Sequence, residues 1–189
     1  MSDCLLMVGL GNPGSEYANS RHNIGFQMIE AIAESVASCS FRRMSSVAEV
    51  SSCFFEKKKL IFAKPQTFMN LSGRAVRFLI DFYKIPINKV IIFHDDIDLP
   101  FGRVKIKKGG GNGGHNGLKN IDNLAGNDYW RIRIGVGRPT EKSMVVSHVL
   151  GNFSDEESEK LEKIKKIVTE NLSVLVSNDP KKLESLINS

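Results

Sequence analysis

The sequence predicts an α/β domain spanning residues 1–189: a twisted, mixed β-sheet flanked by helices on both faces, in three α/β/α layers. Three observations predict it. Short apolar runs bounded by turn residues alternate with segments of helical spacing, as strands covered by helices do. Two strand-like runs, 46–55 and 60–63, flank a short polar turn, so the sheet is not purely parallel. The 189 residues suffice for one proper core, and no repeat, linker or low-complexity tract divides them.

The elements follow in order. Cys4–Gly9 (CLLMVG) is a buried strand, apolar throughout and closed by glycines. Over 23–37, Ile24, Met28, Ile29 and Ile32 fall near helical spacing. The hairpin comes next, with its turn at 56–59. Leu71, Val76, Leu79 and Ile80 mark a helix over 70–83. Val90–Phe93 is a buried strand running into His94-Asp95-Asp96. The segments 103–107 and 130–136 alternate apolar and basic residues, as half-exposed strands do. Leu161, Ile164, Ile167, Val168 and Leu172 give one amphipathic helix over 155–176, with an acidic first turn suited to the helix dipole. Asp179-Pro180 reads as a cap and first helical residue.

Composition narrows the function. No charge-poor apolar run is long enough to span a membrane, and the N-terminus has no signal-peptide pattern. Cys4, Cys39 and Cys53 are scattered and odd in number, which suggests a reducing cytoplasm and small buried hydrophobes, with neither a zinc site nor a disulfide framework. The net charge of +5 is unevenly placed. From Ser154 onward six Lys oppose eight Asp/Glu, so the remainder carries +7. Between Leu99 and Arg138 lie Arg103, Lys105, Lys107, Lys108, Lys119, Arg131, Arg133 and Arg138, opposed only by Asp122 and Asp128. An anionic partner is implied, nucleic acid first among candidates; a solvated basic face is the alternative.

Gly9, Gly11 and Gly14 spell G-x-G-x-x-G after a strand, but the setting of a dinucleotide loop is missing. A polar stretch, 15–20, intervenes before the next helix, and Glu30 lies inside that helix rather than at a strand end. More informative are four polar groups at strand exits or loop ends: Asn12, Asn70, Asp95 and Asn116. Active sites gather at such exits in α/β sheets. His22 can take a proton from water near neutral pH, and Asp95 is placed to fix its tautomer. Asp96, the next residue along the strand, should point elsewhere. Asparagine amides can stabilise an oxyanion without adding charge. No nucleophile motif is present, which favours direct attack by water. His94, Asp95, Asp96 and Asp98 are metal-ligand types, yet their spacing matches no zinc or calcium pattern. The glycine-rich segment 109–117 follows Lys105, Lys107 and Lys108, a setting for phosphate contact and for loop movement. A metal-dependent phosphoesterase and a non-catalytic RNA-binding module stay open on these residues alone.

Six blocks in order carry a resemblance: VGLGNPGSEYANSRHNIGF, AKPQTFMNLSG, HDDIDLPFG, KKGGGNGGHNGLKNI, RIRIGVGRP and VLGNF. Together they resemble the bacterial-type peptidyl-tRNA hydrolase family. The resemblance implies a monomeric enzyme without cofactor that cleaves the ester between a peptide and the 3′ end of its tRNA. It casts His22 as general base, Asp95 as its orienting partner and Asn12 as the residue that discriminates N-blocked from free aminoacyl ends. Asn70 and Asn116 would hold substrate and water, Tyr17 and Phe68 would line the site for the tRNA terminus, and Met69 would form a pocket wall. Lys107 and Arg133 would grip tRNA phosphate. Ser20 departs from the family's usual threonine but keeps the hydroxyl. The block 38–59 matches least, and His115 is given no catalytic role.

Overall fold

The structure, a computed structural model, describes residues 4–37 and 40–189. Seven strands form one sheet in the order β2-β3-β4-β1-β5-β7-β6. They are β1 (Cys4–Gly9), β2 (Arg42–Arg43), β3 (Ala48–Phe55), β4 (Lys58–Pro65), β5 (Val90–Asp96), β6 (Val104–Lys108) and β7 (Trp130–Gly135). The inner four, β4, β1, β5 and β7, are parallel; β2–β3, β3–β4 and β6–β7 pair antiparallel. The mixed sheet expected from the sequence is therefore parallel at its centre and antiparallel at both edges. The β3–β4 turn is tighter than expected. Only Glu56 and Lys57 lie between the strands, both at positive φ (48° and 67°), the geometry that matches a two-residue turn to strand twist.

Helices cover both faces. On one, α1 (Ile24–Ala37) and the C-terminal helices α5 (Asp155–Glu170), α6 (Leu172–Leu175) and α7 (Leu183–Ile187) pack over Met7, Phe62, Phe93 and Ile132. On the other, α2 (Ser72–Tyr83) and α3 (Asn116–Ala125) cover Leu6, Val8, Ile61 and Ile92. A short α4 (Val145–Leu150) stands at the carboxyl end of the parallel strands. Each inner strand is buried on both sides, which explains its unbroken apolar run. The expected single helix over 155–176 is interrupted at Asn171, whose φ/ψ of −114°/32° leave the helical region. A capping box starts α5: Ser154 Oγ accepts from Glu157 N–H, and the Glu157 carboxylate accepts from Ser154 N–H.

Two other expectations are corrected. β7 is an inner strand rather than a half-exposed one, and Arg131 is 2% exposed. Its alternation pairs one face on the core with another face under a loop. Cys4 and Cys53 are only half-buried, because both sit toward the strand ends away from the core centre; Cys39 lies outside the described residues.

Two glycines set the angle between β1 and α1. A Cβ on Gly9 would lie 2.1 Å from the Gly25 carbonyl oxygen, and one on Gly25 would lie 2.4 Å from both Leu10 N and Phe93 O. The helix start is thus pressed directly onto the ends of β1 and β5. The glycine motif that resembled a phosphate loop serves this close packing: Gly9 and Gly11 face Gly25 and the Phe26 ring.

Candidate active site

β1 sits where the chain reverses its order of strand addition, with β4 on one side and β5 on the other. The crevice beyond the carboxyl ends of these strands is the usual site position in open α/β sheets. It holds a cavity of about 460 Å³. Asn12, His22, Phe68, Met69 and Asn70 line it from the β1 and β4 side. Asp95, Lys107, Asn116 and Arg133 complete the wall. Nine residues singled out from the sequence thus meet in one place. Tyr17, Lys105 and Lys108 do not line it.

His22 stands in a 3₁₀ turn, Arg21–Asn23, just before α1. Its Nδ1 is 2.9 Å from each oxygen of the Asp95 carboxylate. Nδ1 therefore carries the proton and donates, while Nε2 has no hydrogen-bond partner among the described residues and keeps its lone pair for the cavity. Burial, the largest single influence, pushes the His22 pKa down. The charge of Asp95 and the hydrogen bond outweigh it, and the pKa is raised above 6.5. Asp95 is 2% exposed, and burial alone would raise it; the positive charges and hydrogen bonds of His22 and His115 instead hold it far below the usual carboxylate range.

His115 is the residue the sequence did not single out. It caps α3: its Nδ1 accepts from Leu118 N–H (3.3 Å), which fixes the proton on Nε2, and Nε2 donates to Asp95 Oδ1 at 2.9 Å. The rings of His22 and His115 lie 5.2 Å apart. Only its place next to Asn116 hinted at this from sequence, since Asp95 is twenty residues away, across β6 and an irregular stretch at 109–115. His94 is fully internal. Its Nδ1 donates to the Asp95 carbonyl (2.8 Å), its Nε2 is buried without a partner, and burial together with the neighbouring His115 lowers its pKa to about 3. It is neutral at any working pH.

The amides are held as firmly. Asn12 Oδ1 accepts from Met69 N–H (2.8 Å), which leaves the Asn12 NH₂ group for the cavity. Asn23 clamps the Asn12 backbone, its Oδ1 accepting from Asn12 N–H and its Nδ2 donating to Asn12 O, each at 2.9 Å. A buried asparagine inside HNIGF was the available signal for Asn23. Arg21 ties this segment to the C-terminal helices: its N–H donates to Gly151 O, and its Nη2 donates to the same Glu157 oxygen that accepts from Ser154 N–H, all at 2.9 Å.

Asp96 has no hydrogen bond to His22 among the described residues; it lines the same cavity and accepts from Arg133 Nε at 2.8 Å. Asp98 pairs with Arg138. His94, Asp95, Asp96 and Asp98 therefore diverge to different partners and do not form a common ligand set. The three-residue group that does converge, with ligand atoms within 4.8 Å of one another, is His22, Asp95 and His115. Among the eight basic residues between 99 and 138, Lys108, Arg131, Arg133 and Arg138 are ion-paired.

A tautomer-fixed imidazole with a free lone pair, backed by a buried carboxylate and faced by neutral amides, suits proton abstraction from water. The peptidyl-tRNA hydrolase family model matches residues 6–189. A Bartonella henselae protein named peptidyl-tRNA hydrolase is 46% identical over 174 residues, covering 92% of this chain and 90% of its own. One from Rickettsia bellii is 45% identical over 181 residues, covering 96% and 98%. The crystal structure of peptidyl-tRNA hydrolase from Acinetobacter baumannii superposes with a TM-score of 0.92 at 35% identity, over all of this chain and 96% of that one. The chain belongs to the peptidyl-tRNA hydrolase family.

Proposed function

We propose that this enzyme hydrolyses the ester joining a peptide to the 3′ end of tRNA, with His22 as general base and Asp95 as its orienting partner. His22 Nε2 takes a proton from water, and the resulting hydroxide attacks the ester carbonyl. The imidazolium, stabilised by Asp95, then returns the proton to the departing ribose oxygen. The Asn12 amide, left free toward the cavity, is a neutral donor for the oxyanion; Asn70 and Asn116 hold the peptide and the water from the other walls. Phe68, 58% exposed at the rim, offers a face on which a terminal base can stack, and Met69 forms the wall behind it.

The observation that carries this reading is the contact of His22 Nδ1 with both Asp95 oxygens, which leaves Nε2 to the cavity. Preference for N-blocked substrates follows from the same walls. Asp95, Asp96 and Asp98 are each already paired with a histidine or arginine, so the ammonium of a free aminoacyl end finds no unpaired carboxylate. Lys105 and Lys107, exposed on β6, with Lys108 and Arg133 beside them, form the surface for tRNA phosphates. The enzyme acts as a single-domain cytoplasmic monomer without metal or cofactor. The test compares release from N-acetyl-aminoacyl-tRNA and from free aminoacyl-tRNA with EDTA present. Rapid release from the first alone is expected; none from either, or release abolished by EDTA, overturns the reading.

A further inference from the structure

Arg131 is the largest fully buried side chain of the described residues, and the hydrolytic steps above do not use it. Its Nη1 donates to Gly111 O (2.6 Å) and its Nη2 to Gly110 O (2.8 Å) and Asp122 Oδ1 (3.2 Å). The guanidinium carbon lies 4.7 Å from the centre of the Tyr129 ring, whose hydroxyl donates to the same Asp122 oxygen at 2.7 Å. Burying a cation costs several kcal/mol, and an apolar side chain would fill the same space more cheaply. The guanidinium serves mainly two carbonyls of a glycine-rich loop with few bonds of its own, chiefly His115 N–H to Asn112 O (3.0 Å) and Gly114 N–H to Asn112 Oδ1 (3.1 Å). Residues 109–115 have no regular structure, and Gly110 has φ of 96°. Those carbonyls lie on the N-terminal side of His115, and Asp122 lies on its C-terminal side, inside α3.

We propose that Arg131 is a positioning residue that clamps the glycine-rich loop and α3 on both sides of His115, and so sets His115 against Asp95 and Asn116 against the substrate. A planar fork makes the two carbonyl bonds and the carboxylate bond together; a lysine, with one point charge, does not. The proposal rests on the hydrolase reading for its kinetic part and is independent of it for its dynamic part.

The test uses the full chain with Arg131→Gln, Arg131→Lys and Asp122→Ala. Asp122 is within reach of solvent, so the last variant loosens the clamp without removing the buried cation and serves if Arg131→Gln fails to fold. In each variant amide hydrogen exchange is expected to accelerate over 110–117 while β1 and β5 keep their protection. The kcat on N-acetyl-aminoacyl-tRNA is expected to fall roughly tenfold, as small misplacements near the chemistry do, with little change in KM. Arg131→Lys is not expected to restore it. In a His115→Ala/Asn116→Ala background the same clamp substitution should have almost no further effect. Unchanged loop exchange, exchange raised evenly across the sheet, or a full additional loss in that background overturns the clamp. No release of N-acetyl-aminoacyl-tRNA by the unsubstituted enzyme overturns instead the hydrolase reading, and the exchange result stands apart from it.

Discussion

Asp95 is approached by two histidines with opposite kinds of support. His22 comes from the β1–α1 junction, where backbone packs on backbone: Gly9 and Gly25 are in contact, and Leu10 N–H donates to Phe93 O at 2.9 Å. His115 comes at the end of a glycine-rich loop, two of whose carbonyls accept from the buried Arg131 side chain. The first arrangement resists change at a fixed cost in sequence freedom. The second can open by breaking a few side-chain hydrogen bonds, which suits the wall that a bulky tRNA end must pass.

The contrast can be broken first at His22. His22→Ala is expected to lower turnover by about 10²–10⁴ while tRNA binding persists, since a general base contributes on that scale; single-turnover release and filter binding measure the two parts. A smaller loss than that of His115→Ala would reverse the ranking of the two sides. Next is glycine tolerance. Gly25→Ala forces a Cβ against three backbone atoms and should cost about 3 kcal/mol in denaturant unfolding. Gly111→Ala meets nothing within 4 Å and should stay within about 0.5 kcal/mol. Equal effects would erase the difference in packing. The pH profile sharpens the picture of His22. Its pKa is raised above 6.5, so kcat/KM should fall with acid, half lost at a pH above 6.5. In Asp95→Asn the attractive charge is gone while burial remains, and the imidazole should titrate below 6.5 by NMR. A limb that moves upward contradicts the pairing. The smallest effect expected is for Arg133→Ala: weaker tRNA binding with a salt slope reduced by about 1, measured by binding across a salt series.

How much of this was legible in the sequence depended on the range of the interaction. Cys4–Gly9 and the strand beginning at Val90 could be read from their own residues, because a strand buried on both faces is apolar throughout. His22 and Asp95 could be read because each stands at an element boundary with little local work to do. α3 was not legible. It begins inside a glycine run, and Leu118 and Ile121 are almost its only buried apolar residues, so no helical stripe stands out. Arg131 looked like an outward cation on an alternating strand. Its burial is decided by a loop twenty residues earlier folding over it, and no local pattern records that. The break at Asn171 was equally hidden, since Leu172 continues the apolar spacing across it.

The shared oxygen of Glu157 has a consequence of its own. It serves the first turn of α5 and, through Arg21, the turn that carries His22. Fraying of that helix start deprives Arg21 of its acceptor at the same moment. Heat or proteolytic damage confined to the C-terminal helices is thus expected to reach His22 while the central sheet is still intact. Inactivation is then expected to run ahead of global melting, with the last helices bracing a cavity they do not line.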